Sequence, residues 1–115
     1  FQVMKTGLGM EFFVDYGHLL PGHPKCGVRH GHTARVIIEL YGDMRPDGMI
    51  MDFKEMEEKC WQVLSQVDHK DLNDKFDRPT SETIANWIFT ELRKALPVTK
   101  VQFFEGQGKW CAVEA

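Results

Sequence analysis

At 115 residues with a formal charge of −3 and 43% hydrophobic residues, the chain has the size and balance of one globular domain. The slightly acidic balance argues against a nucleic-acid partner, and no apolar run approaches the roughly 18 residues that a membrane-spanning helix needs. Cys26, Cys60 and Cys111 are odd in number and widely separated, which argues against a disulfide framework and makes a reducing cytoplasm the expected compartment.

The chain begins at Phe1 rather than Met, so a few preceding residues are expected; no signal-peptide pattern is visible. From Met10 to His18 the even positions (Met10, Phe12, Val14, Tyr16, His18) are apolar or aromatic and the odd ones mostly polar, the alternation of a half-buried strand. Residues 19–29 form a loop rich in Pro and Gly. A second alternation places His30, His32, Ala34, Val36, Ile38 and Leu40 on one face. After the turn at 42–48, Asp52 caps a helix, with Glu55 three residues on. Its apolar face is Phe53, Met56, Cys60, Val63, Leu64 and Val67.

A polar connector from Asp68 to Arg78, with Asp71, Asn73 and Asp74 as turn residues, leads to a second helix capped by Thr80 or Ser81. That helix buries Ile84, Trp87, Ile88, Leu92, Ala95 and Leu96, and Pro97 stops it. Val98–Phe104 and Lys109–Val113 read as a hairpin. The order β-β-α-α-β-β predicts an α+β fold over 1–115 with an antiparallel sheet and both helices on one face. Its outer edges lack partners, so a homo-oligomer is expected.

The chemistry concentrates in His18 and in Cys26-Gly-Val-Arg-His30-Gly-His32. Residues two apart on a strand share a face, so His30 and His32 can share one metal ion. His18 ends the apolar stripe of the preceding strand; if the two strands pair antiparallel, all three histidines meet at one end of the sheet. Three histidines leave a fourth position open, as in catalytic zinc sites. Cys26 is open to two roles, a fourth ligand closing the site or a nucleophile or base beside the metal. His23, between Pro and Gly residues, reads as a solvated loop histidine, and Cys60 and Cys111 as structural. Asp68 and His69 could form a proton-transfer pair, although neighbours in a regular element do not face each other. Glu105 ends the stripe Val101, Phe103 and could accept two hydrogen bonds from a guanidine-like edge, whereas Asp52 and Glu82 are explained as helix N-terminal residues.

With these residues in place, the chain resembles the 6-pyruvoyl-tetrahydropterin synthase / 6-carboxy-tetrahydropterin synthase (QueD) family. The matching segments are His18-Leu-Leu-Pro-Gly, Cys26-Gly-Val-Arg-His30-Gly-His32, Met51-Asp52-Phe53, Asp68-His69-Lys-Asp-Leu-Asn73, Pro79-Thr-Ser-Glu82 and Glu105. The resemblance implies a T-fold, whose sheets close into a barrel in a trimer, two trimers stacking into a hexamer with active sites at subunit interfaces. It implies that His18, His30 and His32 bind one Zn2+ per subunit and that Cys26, Asp68 and His69 are catalytic. It further implies that Glu105 anchors a pterin ring, from a neighbouring subunit. The spacing C-x-x-x-H-G-H is similar to the QueD type, which converts 7,8-dihydroneopterin triphosphate to 6-carboxytetrahydropterin, acetaldehyde and triphosphate on the route to 7-deazaguanine nucleosides. The pyruvoyl synthase is the alternative, and a zinc-binding interaction module the non-enzymatic one. The segment Tyr16-Gly17-His18 departs from the family, which often has an alanine before its first zinc histidine.

Overall fold

A computed structural model of the protein describes residues 4–115; the residues expected before Phe1 lie outside them. Two long strands, β1 (Thr6–His18) and β2 (His30–Gly42), pair antiparallel along their whole length. The predicted alternation places Phe12, Val14, Tyr16 and His18 of β1 and Ala34, Val36, Ile38 and Leu40 of β2 on one face. The first strand starts four residues before the clear alternation, because Thr6 to Gly9 pair with the far end of β2 while only Leu8 among them packs, partly buried, against the core.

Helix α1 (Phe53–Leu64) begins where expected: the Asp52 carboxylate accepts from the Lys54 N–H at 2.7 Å. Met56, Cys60, Val63 and Leu64 are buried, but Phe53 at the first turn is 55% exposed and is not part of that face. Helix α2 (Ser81–Leu92) takes Thr80 as its cap, through a 3.1 Å bond from the Thr83 N–H. It ends at Leu92 rather than at Pro97. Its last residues relax into turns closed on the Leu92 carbonyl, and Arg93 donates to the Val98 carbonyl at 2.9 Å. Leu96 is buried all the same.

Between the helices, Lys70–Asp71 forms a two-residue strand, β3, parallel to Tyr16–Gly17, followed by a 3-10 turn over Leu72–Asp74. With β4 (Val98–Gly106) and β5 (Lys109–Glu114), the sheet has five strands in the order β3-β1-β2-β4-β5. The sheet is therefore mixed rather than antiparallel. The segment 68–78 is polar and lacks any period-2 pattern, so nothing local announces β3; its pairing is set by the backbone of β1. Both helices cover the even face of β1 and β2, and Ile38, Met56, Leu64, Ile88, Leu92 and Phe103 fill the space between sheet and helices. Each such side chain contributes about 1.5–3 kcal/mol by leaving water.

No helix of the described residues is long and apolar enough to cross a membrane.

Candidate metal and pterin site

His18 pairs directly across from His30 at the end of the β1–β2 ladder, and Tyr16 from His32. The ring centroids lie 4.5 Å (His18–His30), 4.8 Å (His30–His32) and 5.1 Å (His18–His32) apart, and the ligand-capable nitrogens all fall within 4.8 Å of one another. His18 is 1% exposed. Its Nδ1 lies 2.7 Å from the Pro79 carbonyl, and His30 Nδ1 lies 2.6 Å from the Val28 carbonyl. A carbonyl only accepts, so each Nδ1 carries the proton and Nε2 is left with its lone pair free. The buried Nε2 atoms of His18 and His32 have no hydrogen-bond partner. A buried polar atom without a partner is costly, and the three converging imidazoles fit a metal ion, with the Pro79 and Val28 carbonyls fixing the tautomers of His18 and His30. Burial lowers the pKa of His32, overcoming the opposing pull of Glu105, which favours the neutral, ligating imidazole.

Cys26 belongs to neither of the clusters of metal-capable side chains among the described residues. Its loop is an organised one. His23 Nδ1 accepts from the backbone N–H groups of Lys25 (3.2 Å) and Cys26 (2.8 Å), so His23 is an anchor for the loop as well as a solvated side chain. The Leu20 N–H donates to the Cys26 carbonyl at 2.7 Å. Gly27 is required here, because a Cβ would stand 2.6 Å from the His23 carbonyl oxygen. The loop is also pinned from outside: Arg29 pairs with Asp71, whose carboxyl is held below its usual pKa by that guanidinium, and Arg78 donates to the Pro21 carbonyl at 3.0 Å. Asn73 is more than a turn residue. It accepts from the Leu19 N–H at 2.8 Å and donates to the Leu19 carbonyl at 3.0 Å, continuing the β1–β3 pairing with a side chain.

Glu105 sits at an irregularity in the β4–β5 register, where Phe104 pairs with Trp110 and Gly106 with Lys109. The bulge lets its carboxylate reach the histidines of the same chain: Oε1 is 3.5 Å from His32 Nε2, and Oε2 accepts from Ser81 Oγ at 2.6 Å. The expected reach across from a neighbouring subunit is thus not needed to bring Glu105 to a histidine centre. Beside it opens a cleft of about 320 Å³ lined by Ser81, Glu82, Glu105, Lys109, Trp110 and Cys111. Sequence reasoning gave neither Glu82 nor Lys109 a place here: a carboxylate in the first turn of a helix already has an explanation, and a single lysine after a turn carries no signal of its own. Cys111 is only partly buried, and its thiol pKa is raised by burial and then by Glu82 and Glu105; that of Cys60 is pushed up to about 12 by burial. Tyr16 lies under the histidines, and burial, then Glu105, raises the pKa of its phenol.

Asp68 and His69 do face each other, against the rule for neighbours in a regular element. His69 has φ +58°, in the left-handed region, and this turn brings its Nδ1 to 2.9 Å from Asp68 Oδ2. The Asp15 backbone grips both residues, with its carbonyl accepting from the His69 N–H at 2.6 Å and its N–H donating to Asp68 Oδ1 at 2.9 Å. Asp15 occupies the odd face of β1. His69 Nε2 lies 3.7 Å from the Asp15 carboxylate, so the pair groups with Asp15 on the odd side of β1 and apart from the three histidines, although the cleft beside it is lined by His30 and His32 as well as Thr33, Arg29 and Asp71.

Residues 8–115 match the family described as "6-pyruvoyl tetrahydropterin synthase". A relative from Archaeoglobus fulgidus, provisionally named 6-carboxy-5,6,7,8-tetrahydropterin synthase, is 37% identical over 107 residues, 92% of this chain and 93% of the relative. The 6-carboxy-5,6,7,8-tetrahydropterin synthase of Haemophilus influenzae is 28% identical over 134 residues, covering 90% and 95% of the two chains. The solved 6-pyruvoyl tetrahydropterin synthase of Caenorhabditis elegans superposes with a TM-score of 0.89 at 22% identity, over 100% of this chain and 99% of the other, a likeness of fold. The chain is a T-fold protein and belongs to the 6-pyruvoyl tetrahydropterin synthase family of pterin synthases.

Proposed function

We propose that the protein is a zinc-dependent 6-carboxy-5,6,7,8-tetrahydropterin synthase. On this reading 7,8-dihydroneopterin triphosphate and water give 6-carboxytetrahydropterin, acetaldehyde and triphosphate, and the product feeds 7-deazaguanine nucleoside synthesis. The observation that carries it is the trio of histidines with free Nε2 lone pairs set beside a carboxylate, in a chain whose relatives carry the 6-carboxy name.

His18, His30 and His32 would hold the zinc, which when bound supplies Lewis-acid polarisation of substrate oxygens. Glu105 accepts N–H groups from the pterin edge, and Glu82 and Lys109 bound the same cleft. Cys26, on the loop that leads into His30, takes a proton as thiolate. His69, oriented by Asp68, moves a second proton.

A complete site then requires more than one chain. The Asp68–His69 pair groups with Asp15 and apart from the three histidines, and β3 and β5 leave both sheet edges open. A barrel-forming trimer, doubled to a hexamer, brings the pair of one subunit to the histidines of the next. Three free thiols fit a reducing cytoplasm.

The deciding experiment incubates zinc-loaded protein with dihydroneopterin triphosphate and assays acetaldehyde. Release of acetaldehyde in step with 6-carboxytetrahydropterin is the expected result. A pyruvoyl product without acetaldehyde would overturn this reading in favour of the pyruvoyl synthase. Zinc binding without any turnover would favour a non-enzymatic module.

A further inference from the structure

His23 is the histidine that the roles above do not use. Its ring is arranged the opposite way to those of His18 and His30, whose Nδ1 atoms face carbonyls. His23 Nδ1 faces two backbone N–H groups, that of Cys26 at 2.8 Å and that of Lys25 at 3.2 Å. An N–H only donates, so Nδ1 offers its lone pair and the proton of the neutral ring sits on Nε2. That tautomer leaves no lone pair for a metal. His23 accordingly belongs to neither cluster of metal-capable side chains among the described residues.

The run His23-Pro24-Lys25-Cys26-Gly27 shows why the acceptor is spent on the backbone. Pro24 has no N–H, so the first donors after His23 are those of Lys25 and Cys26. The His23 carbonyl accepts from the Gly27 N–H at 3.0 Å, which closes a single turn over these residues. His23 caps that turn as Asn or Asp caps a helix, with its side-chain acceptor on the second and third N–H groups that follow. Both backbone polar groups of Cys26 are used in this way: its N–H goes to His23, and its carbonyl accepts from the Leu20 N–H at 2.7 Å. The His23 N–H donates in turn to the Leu20 carbonyl at 3.1 Å, so the three residues hold one another. Pro24, Lys25 and Gly27 are exposed, and only Cys26 is half-buried. With so little packed around the turn, these hydrogen bonds set the direction in which Cys26 projects its thiol.

We propose that His23 is a positioning residue: its Nδ1 lone pair caps the turn that carries Cys26 and so aims the thiol for its proton transfer. The task of the thiol rests on the synthase reading above; the hold of His23 on the Cys26 backbone does not.

His23→Ala removes the acceptor, whereas His23→Asn keeps one in the same place, since Asn Oδ1 and His Nδ1 are both attached to Cγ. With zinc-loaded protein and dihydroneopterin triphosphate, His23→Ala should lower kcat roughly 10–10²-fold and leave KM and zinc content unchanged. His23→Asn should recover most of that loss. Hydrogen exchange of the Cys26 amide should quicken roughly 5-fold in His23→Ala and stay slow in His23→Asn. Nitrogen NMR of the unaltered protein, above the ordinary histidine range, should find His23 protonated on Nε2 and bare on Nδ1. An unchanged kcat in His23→Ala, an equal loss in His23→Asn or a proton on Nδ1 would each overturn the proposal. Failure of the unaltered protein to turn over dihydroneopterin triphosphate would instead sink the synthase reading. The Cys26 amide then still decides the role of His23, because exchange equally slow in His23→Ala shows that the ring does not hold it.

Discussion

His69 folds its ring back onto the residue before it, placing Nδ1 2.9 Å from Asp68 Oδ2, and it does so only because its own φ is +58°. A carboxylate on Nδ1 fixes the tautomer and leaves Nε2 to exchange protons with a ligand. The ring is 75% exposed along its side chain, so little of its packing is at stake in a substitution. His69→Ala should therefore leave the fold and the zinc content intact and lower kcat by roughly 10²–10⁴-fold. Steady-state acetaldehyde release with parallel metal analysis checks this; a drop in zinc content would show that the residue acts on the metal centre.

The histidine trio predicts how metal content depends on pH. His32 has a pKa below its usual 6.5 because it is buried. Its folded-state value is below its unfolded one, so the folded chain binds fewer protons and the contribution to stability is present above the unfolded value. It is lost as pH falls through the folded value. Zinc competes with the same protons, so zinc should stay bound at neutral pH and be released on acidification below the ordinary histidine range. Titration of metal content against pH, with circular dichroism to follow the fold, tests both. His18→Ala should abolish stoichiometric zinc at every pH, since it removes the most buried ligand.

Cys26→Ala should keep one zinc per chain and lose turnover by at least about 10²-fold. The thiol lies outside the histidine cluster, so its removal leaves the ligand set complete. Loss of zinc in this variant would convert the site into a closed, structural one. A second measurement needs no substrate: iodoacetamide near neutral pH should label Cys26 ahead of Cys60 and Cys111, whose pKa values are raised by burial. Peptide mass spectrometry reads the order of labelling.

Asn73 replaces a backbone group by bonding both the N–H and the carbonyl of Leu19. Asn73→Ala leaves those two partly buried groups unpaired at the start of the loop that carries Cys26. The expected cost is about 1–3 kcal/mol in urea unfolding. Hydrogen exchange should rise across residues 19–29 and stay unchanged in α1. A uniform rise over the whole chain would mean that Asn73 supports the fold at large and not this loop.

Much of this protein is legible in its sequence for one physical reason: alternation and helical spacing record which face of each element avoids water. The parity of His18 against His30 and His32 places three imidazoles on one face of paired strands, and Asp52 and the pair Thr80–Ser81 mark the helix starts because a capping side chain must sit next to the N–H groups it satisfies; the structure selects Thr80. What the local pattern does not carry are features made by another part of the chain. The strand β3 exists because β1 offers its backbone, His69 turns where the Asp15 backbone bonds both its N–H and the Asp68 carboxylate, and Glu105 reaches His32 because β4 and β5 slip by one residue. The fold also divides one motif set into two groups, His18, His30 and His32 in one and Asp68–His69 with Asp15 in the other. Periodicity determined who could share a face; only the tertiary structure decided which carboxylate meets which histidine, because Glu105 and His32 lie far apart in the chain and the turn that joins Asp68 to His69 is held by the distant Asp15.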